Sequence, residues 1–306
     1  MRPSRRDRSK AKRKHGVKWS RVIGYAAIVL LILSVGYLLL PELQFNLGTG
    51  SSSTNPSPIL KAAIIDQLSS IQGGSGLVQE VYTMLTNRGI STDVYLPNDI
   101  TVSFYAHLAT MGYGLIIFRV HTGLGNSQAP LGLFTNEPYN PNQYVLEQAD
   151  LLVGAAQATA GGPVVFAVTP KFIRETMQGK FAGTIIVLAG CYGIASGGAL
   201  AQAFIDKGAR VVVGWTGLVD VDHTDAALGV FLQSFIKENM TIQDAVQATM
   251  QSVGPDPTYH SILTYYPTDQ GSATINSIIT NFLIAKVTIG ESSSSPIIIL
   301  GVLLPT

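Results

Sequence analysis

The sequence predicts an α/β fold: a mostly parallel sheet flanked by helices, preceded by an N-terminal transmembrane helix. Three observations predict it. Apolar runs rich in β-branched residues, such as Gly114–Val120 and Gly183–Ala189, read as strands buried on both faces. Segments with apolar residues at helical spacing lie between such runs, the β-α-β-α-β order of right-handed crossovers. Ahead of them stands Val22–Leu40, nineteen residues without a formal charge.

The N-terminal segments follow from charge and length. Residues 1–21 carry ten of the twenty Lys and Arg and one acid, Asp7, so the remainder has 10 − 18 = −8. A basic cluster alone suits nucleic acid or a membrane-flanking tail. The run behind it decides for the membrane, because about 20 residues of helix cross about 30 Å of hydrocarbon. The basic side stays cytoplasmic, which places the C-terminal body outside and leaves no nucleic-acid role. The run is longer than a signal-peptide core and exits through Pro41 and Glu42 with no small-residue cleavage site, so an uncleaved anchor fits better. Residues 41–59 contain a Gly/Ser/Pro spacer, and the body is expected over 60–306. A hydrophobic content of 46% excludes a disordered chain, and one cysteine excludes an internal disulfide framework.

The body opens with a buried strand at Ala62–Ile65. Gly73–Gly76 is a flexible turn into a helix with Leu77, Val81, Met84 and Leu85 on one face, ending at Gly89. That turn lacks the lysine and spacing of a phosphate-binding loop. Thr92–Leu96 is a strand, Thr101–Met111 a helix, and Gly114–Val120 the strand that delivers His121. Leu131–Thr135 and Val164–Thr169 read as a small antiparallel addition. Thr169-Pro170 starts a helix as cap and first residue. The Gly183 strand then leads to Cys191. Ala199–Lys207 is a helix, Arg210–Trp215 a strand, and Thr224–Asn239 and Thr241–Val253 are amphipathic helices, the second opening on a capping-box-like Thr241-Ile-Gln-Asp244. The apolar runs Ile278–Ile289 and Ile297–Leu304 are read as terminal strands.

The chemistry concentrates where strands end, since the crevice of an open α/β sheet lies outside the carboxyl ends of its strands. Cys191 and His121 each end an apolar run, and each has a glycine two residues on, Gly193 and Gly123. If the two strands are neighbours about 4.8 Å apart, thiol and imidazole open onto one crevice. A thiolate nucleophile needs a histidine nearby, and acyl transfer needs N–H donors at the developing oxyanion. The amides of Gly123 and Cys191 are the candidates. The bland alternative is a small core cysteine and a hydrogen-bonded histidine. Asp220, Asp222, His223 and Asp225 invite a metal reading, but their spacing matches no established loop, and Asp222 or Thr224 serves equally as a helix cap.

His-x-Gly after one hydrophobic strand and Gly190-Cys191-Tyr192-Gly193 after another resemble the caspase-like cysteine peptidases of clan CD. The downstream pattern, Ala199-Leu-Ala-Gln-Ala-Phe-Ile205, Lys207-Gly-Ala-Arg-Val-Val-Val-Gly-Trp215 and Val219-Asp220, is similar to the CHAT branch of that superfamily. Thr122 and Gly190 depart from residues common in the family. The resemblance covers roughly Ala62 to Val253. It implies a caspase-like three-layer α/β/α sandwich, endopeptidase activity on protein or peptide substrates, no cofactor, no metal, and a His121/Cys191 dyad. It further implies that a charged residue ending the first strand selects the substrate side chain; Asp66 would select Arg or Lys. A catalytically silent domain that binds peptide or protein at the cell surface, and a transamidase, are the alternatives. No motif sets an oligomeric state.

Overall fold

The computed structural model describes residues 60–70, 76–123, 132–195 and 198–280. The N-terminal tail, the anchor, the spacer and most of both C-terminal apolar runs lie outside them. No helix among the described residues is long and apolar enough to cross a membrane.

In chain order the elements are β1 Lys61–Asp66, α1 Gly76–Asn87, β2 Ser91–Tyr95, α2 Val102–His107, β3 Leu115–Arg119, β4 Thr122–Gly123, β5 Gly132–Pro138 and α3 Val145–Ala149. They continue as β6 Val153–Gln157, β7 Val164–Val168, α4 Pro170–Glu175, β8 Ile185–Leu188, α5 Ala199–Asp206, β9 Val211–Trp215, α6 Val221–Leu232, α7 Ile242–Ser252 and β10 Leu263–Tyr266. The fold is mixed α/β. The main sheet has the order β10-β9-β8-β3-β1-β2, parallel throughout except for the antiparallel edge strand β10.

Strand alternation divides the core in two. Ala63, Ile65, Ile116, Phe118, Ile186 and Leu188 face α2, α4 and α5, where Phe104, Phe172 and Phe204 fill the layer. Ala62, Ile64, Leu115, Ile117, Ile185 and Val187 face α1, α6 and α7, where Leu85, Phe231 and Val246 pack. Both faces are apolar because crossover helices cover both. The caps are local: Thr101, Thr169 and Thr241 side chains accept from Phe104, Phe172 and Asp244 N–H. A second sheet, ordered β4-β5-β7-β6 and antiparallel, fills the chain between β3 and α4.

Three expectations are corrected. The helix expected from Thr224 starts at Val221, because Asp220 already takes the N-cap conformation and Thr224 N–H donates to Asp220 O at 2.9 Å. That helix also changes into a π turn over Gln233–Lys237. Residues 275–280 are helical where a strand was expected to begin at Ile278, since Ile275 and Ile278 lie three apart and both bury on the α6 and α7 side of the sheet.

Candidate active site

The site is built by strand register. Leu115, Ile116, Ile117 and Phe118 of β3 pair with Ile185, Ile186, Val187 and Leu188 of β8. That offset, 185 − 115 = 70, is also 191 − 121, so His121 and Cys191 stand level where the two strands run out. Ala189 N–H still donates to Phe118 O, at 2.7 Å, one step past the strands. Next comes Gly190, where a Cβ would run into the Val120 carbonyl oxygen. Only glycine lets the two chain ends approach so closely. Thr122 Oγ1 donates to Cys191 O across the same gap.

Both side chains line one cavity of about 410 Å³, with Phe134, Gln157, Val219, Asp220 and Tyr259 on its walls. The His121 backbone is pinned by Gln67, whose side-chain oxygen accepts its N–H at 3.0 Å. The ring lies 5.9 Å from Phe134, and its Nε2 is buried without a hydrogen-bond partner. Burial, and then the nearby Arg119 charge, lower the imidazole pKa below its usual 6.5. Cys191 Sγ donates to Val219 O at 3.7 Å. Burial raises the thiol pKa above its ordinary value, and the Asp256 and Asp220 charges add to this. Both shifts favour the uncharged form of the side chain concerned.

The turn that carries Cys191 is shaped by its neighbours. Tyr192 has φ 56°, a left-handed conformation rare for a residue with a side chain. Its N–H donates to Gly217 O at 2.8 Å, and Ile194 N–H donates to Trp215 O at 2.9 Å. These bonds hold the turn against the end of β9. The opposite wall is held by Asp256, fully buried, which accepts from the N–H of Asp220, Thr258 and Tyr259 at 2.8, 2.9 and 2.7 Å. Burial opposes its ionisation, yet those backbone donors keep its pKa below the usual carboxylate value.

Two site expectations change. The Gly123 amide was expected at the oxyanion. Phe134 N–H donates to His121 O at 2.9 Å, and Thr122 pairs with Leu133. Hydrogen-bonded pairs alternate in an antiparallel ladder, so Gly123 turns its amide toward Gly132 and Thr122 turns its own away from β5. Asp66 does stand at the end of β1, but it is 1% exposed and is not part of the cavity wall. Its Oδ1 accepts from Arg119 Nη1 at 2.7 Å. Arg119 also makes a bidentate pair with Asp225, Nε to Oδ1 and Nη2 to Oδ2, both at 2.7 Å.

The metal reading also dissolves into separate partnerships. Asp225 is held by Arg119, Asp220 Oδ2 accepts from Thr258 Oγ1, and His223 Nε2 lies 3.1 Å from Gly254 O. Among the described residues no three His, Cys, Asp or Glu side chains are grouped to hold an ion.

Arg119, Gln67 and Asp256 were not singled out from sequence. Arg119 had a visible signal: a guanidinium inside a fully apolar strand demands a buried carboxylate. Asp256 had none, for its role depends on a loop folding back over residues 217–220. No protein-family model and no curated protein sequence matches the chain.

Proposed function

We propose that this chain is a membrane-anchored cysteine endopeptidase with a caspase-like three-layer domain, using His121 and Cys191 as its dyad. The observation that carries the reading is the level register of those two residues at one cavity, with the imidazole Nε2 left unpartnered. The apolar helices on both faces of the parallel sheet support the caspase-like form, and Val22–Leu40 supplies the tether.

In this mechanism the thiol proton passes to His121 as sulfur attacks the scissile carbonyl carbon. The oxyanion is met by the Cys191 N–H and by the Thr122 N–H, which takes the role first given to Gly123. His121 returns the proton to the leaving amine as the C–N bond breaks, leaving a thioester. Water, deprotonated by His121, then releases the acid and the thiol.

The substrate side chain next to the scissile bond is basic, as first expected, but its partner is Asp220 rather than Asp66. Among the described residues Asp220 is the only carboxylate on the cavity wall, and buried Asp256 adds a second negative charge behind it.

The test is covalent labelling with an acetyl-lysyl chloromethyl ketone. Wild-type protein is expected to be modified at Cys191, Cys191→Ala not at all, and His121→Ala at least a hundredfold more slowly. Equal rates in wild type and His121→Ala would leave an ordinary exposed thiol. The second reading, a silent peptide-binding domain, is supported by the burial and acidic charges that oppose thiolate formation at Cys191; it requires peptide binding without any such labelling.

A further inference from the structure

The outer strand of the second sheet, β6, pairs with β7 alone among the described residues. Thr169 N–H donates to Leu152 O at 3.0 Å, which sets the phase of that ladder. Gly154 and Ala156 turn their main-chain groups toward β7, while Val153, Ala155 and Gln157 turn theirs outward. Exposed edges are normally blunted by lysine, proline or a bulge. This one, Val-Gly-Ala-Ala-Gln, has none of these and keeps five regular pairs with β7. Ala155 and Gln157 are exposed, and the small side chains at 154–156 leave the backbone open to approach. The strand's end is not remote: Gln157 and the following Ala158 form part of the wall of the His121/Cys191 cavity.

We infer that the free edge of β6 receives the peptide substrate as an added strand and feeds it to Cys191. This rests on the peptidase reading and deepens it. Five residues at about 3.3 Å each give about 17 Å of edge, room for four or five substrate residues. Main-chain pairing supplies affinity with little demand on side chains. The substrate class is therefore an extended or unfolded segment with a basic residue at the cavity, not a folded surface.

The test uses the full-length chain in mild detergent and compares two chloromethyl ketones, acetyl-lysyl and acetyl-Ala-Ala-Ala-lysyl. The longer reagent is expected to label Cys191 at least tenfold faster. Ala155→Pro removes an outward N–H without touching the β7 ladder, and is expected to bring the ratio of the two rates to near one. A tetrapeptidyl reagent N-methylated at alternate amides is expected to lose the same advantage on wild-type protein, which covers a misfolded variant. An advantage that survives both changes overturns the β6 docking. Absence of labelling by either reagent, with iodoacetamide still reacting, overturns the peptidase reading and the docking with it. A dimer by light scattering that Ala155→Pro converts to monomer assigns the edge to a second copy instead.

Discussion

Cys191 sits among groups that oppose its ionisation, and this has a consequence for the proposed catalysis. Its pKa is held up by burial and by the charges of Asp256 and Asp220. A lysine or arginine side chain beside Asp220 would cancel part of that field, so under the proposed function a basic substrate would itself favour the thiolate. Labelling by a lysyl reagent is expected to begin at lower pH than labelling by its norleucyl counterpart. Asp220→Asn should shift iodoacetamide alkylation of Cys191 toward lower pH and erase the lysyl preference. Unchanged pH profiles would remove Asp220 from the cavity's electrostatics. The position of Cys191 was legible because an apolar β-branched run stops there. The field around it was not, since Asp256 lies 65 residues further on and reaches the site only through loop closure (256 − 191 = 65).

At the scale of elements, Arg119 ties three of them together: its own β3, β1 through Asp66 and α6 through Asp225. Asp66 and Arg119 are paired directly in the parallel register, so the ion pair also marks the alignment of the two strands. Arg119→Met would leave two carboxylates facing each other without their cation. Breaking a buried pair from one side costs about 3–5 kcal/mol. A thermal melt is expected to fall by roughly 10 °C, at 2–4 °C per kcal/mol for a domain of this size. A fall under about 2 °C would mean the clamp contributes little. Thr241→Ala should cost only about 1 kcal/mol, the loss of one N-cap bond to Asp244 N–H. The central strands and caps could be read from sequence because each is stated locally, by a β-branched run or by a Thr before an apolar period. Strand β6 could not be. Val153-Gly-Ala-Ala-Gln157 has one β-branched residue, and its pairing with β7 supplies what propensity does not.

For the molecule as a whole, the buried imidazole links stability to pH. His121 has a folded pKa below 6.5, its unfolded reference. Between those two values the unfolded chain binds the extra proton, so stability rises with pH there and is lost on acidification below about 6.5. Urea melts from pH 5 to 7.5 should show this slope, and His121→Gln should flatten it. An identical slope in the variant would mean the ring is not buried as described. The α/β class followed from order and composition, whereas the pairing of β3 with β8 was only a condition of the site argument and is supplied by the structure. The second sheet was only half visible, as β5 and β7, because its other strands are short or small-residue segments.

The close approach at Gly190 leaves a slipped register of β3 against β8 sterically penalised. A one-residue slip between β3 and β8 would set a residue with a side chain against the Val120 carbonyl, Cys191 or Ala189 in place of Gly190. Gly190→Ala should therefore yield less correctly assembled protein, since the added methyl meets the Val120 carbonyl oxygen.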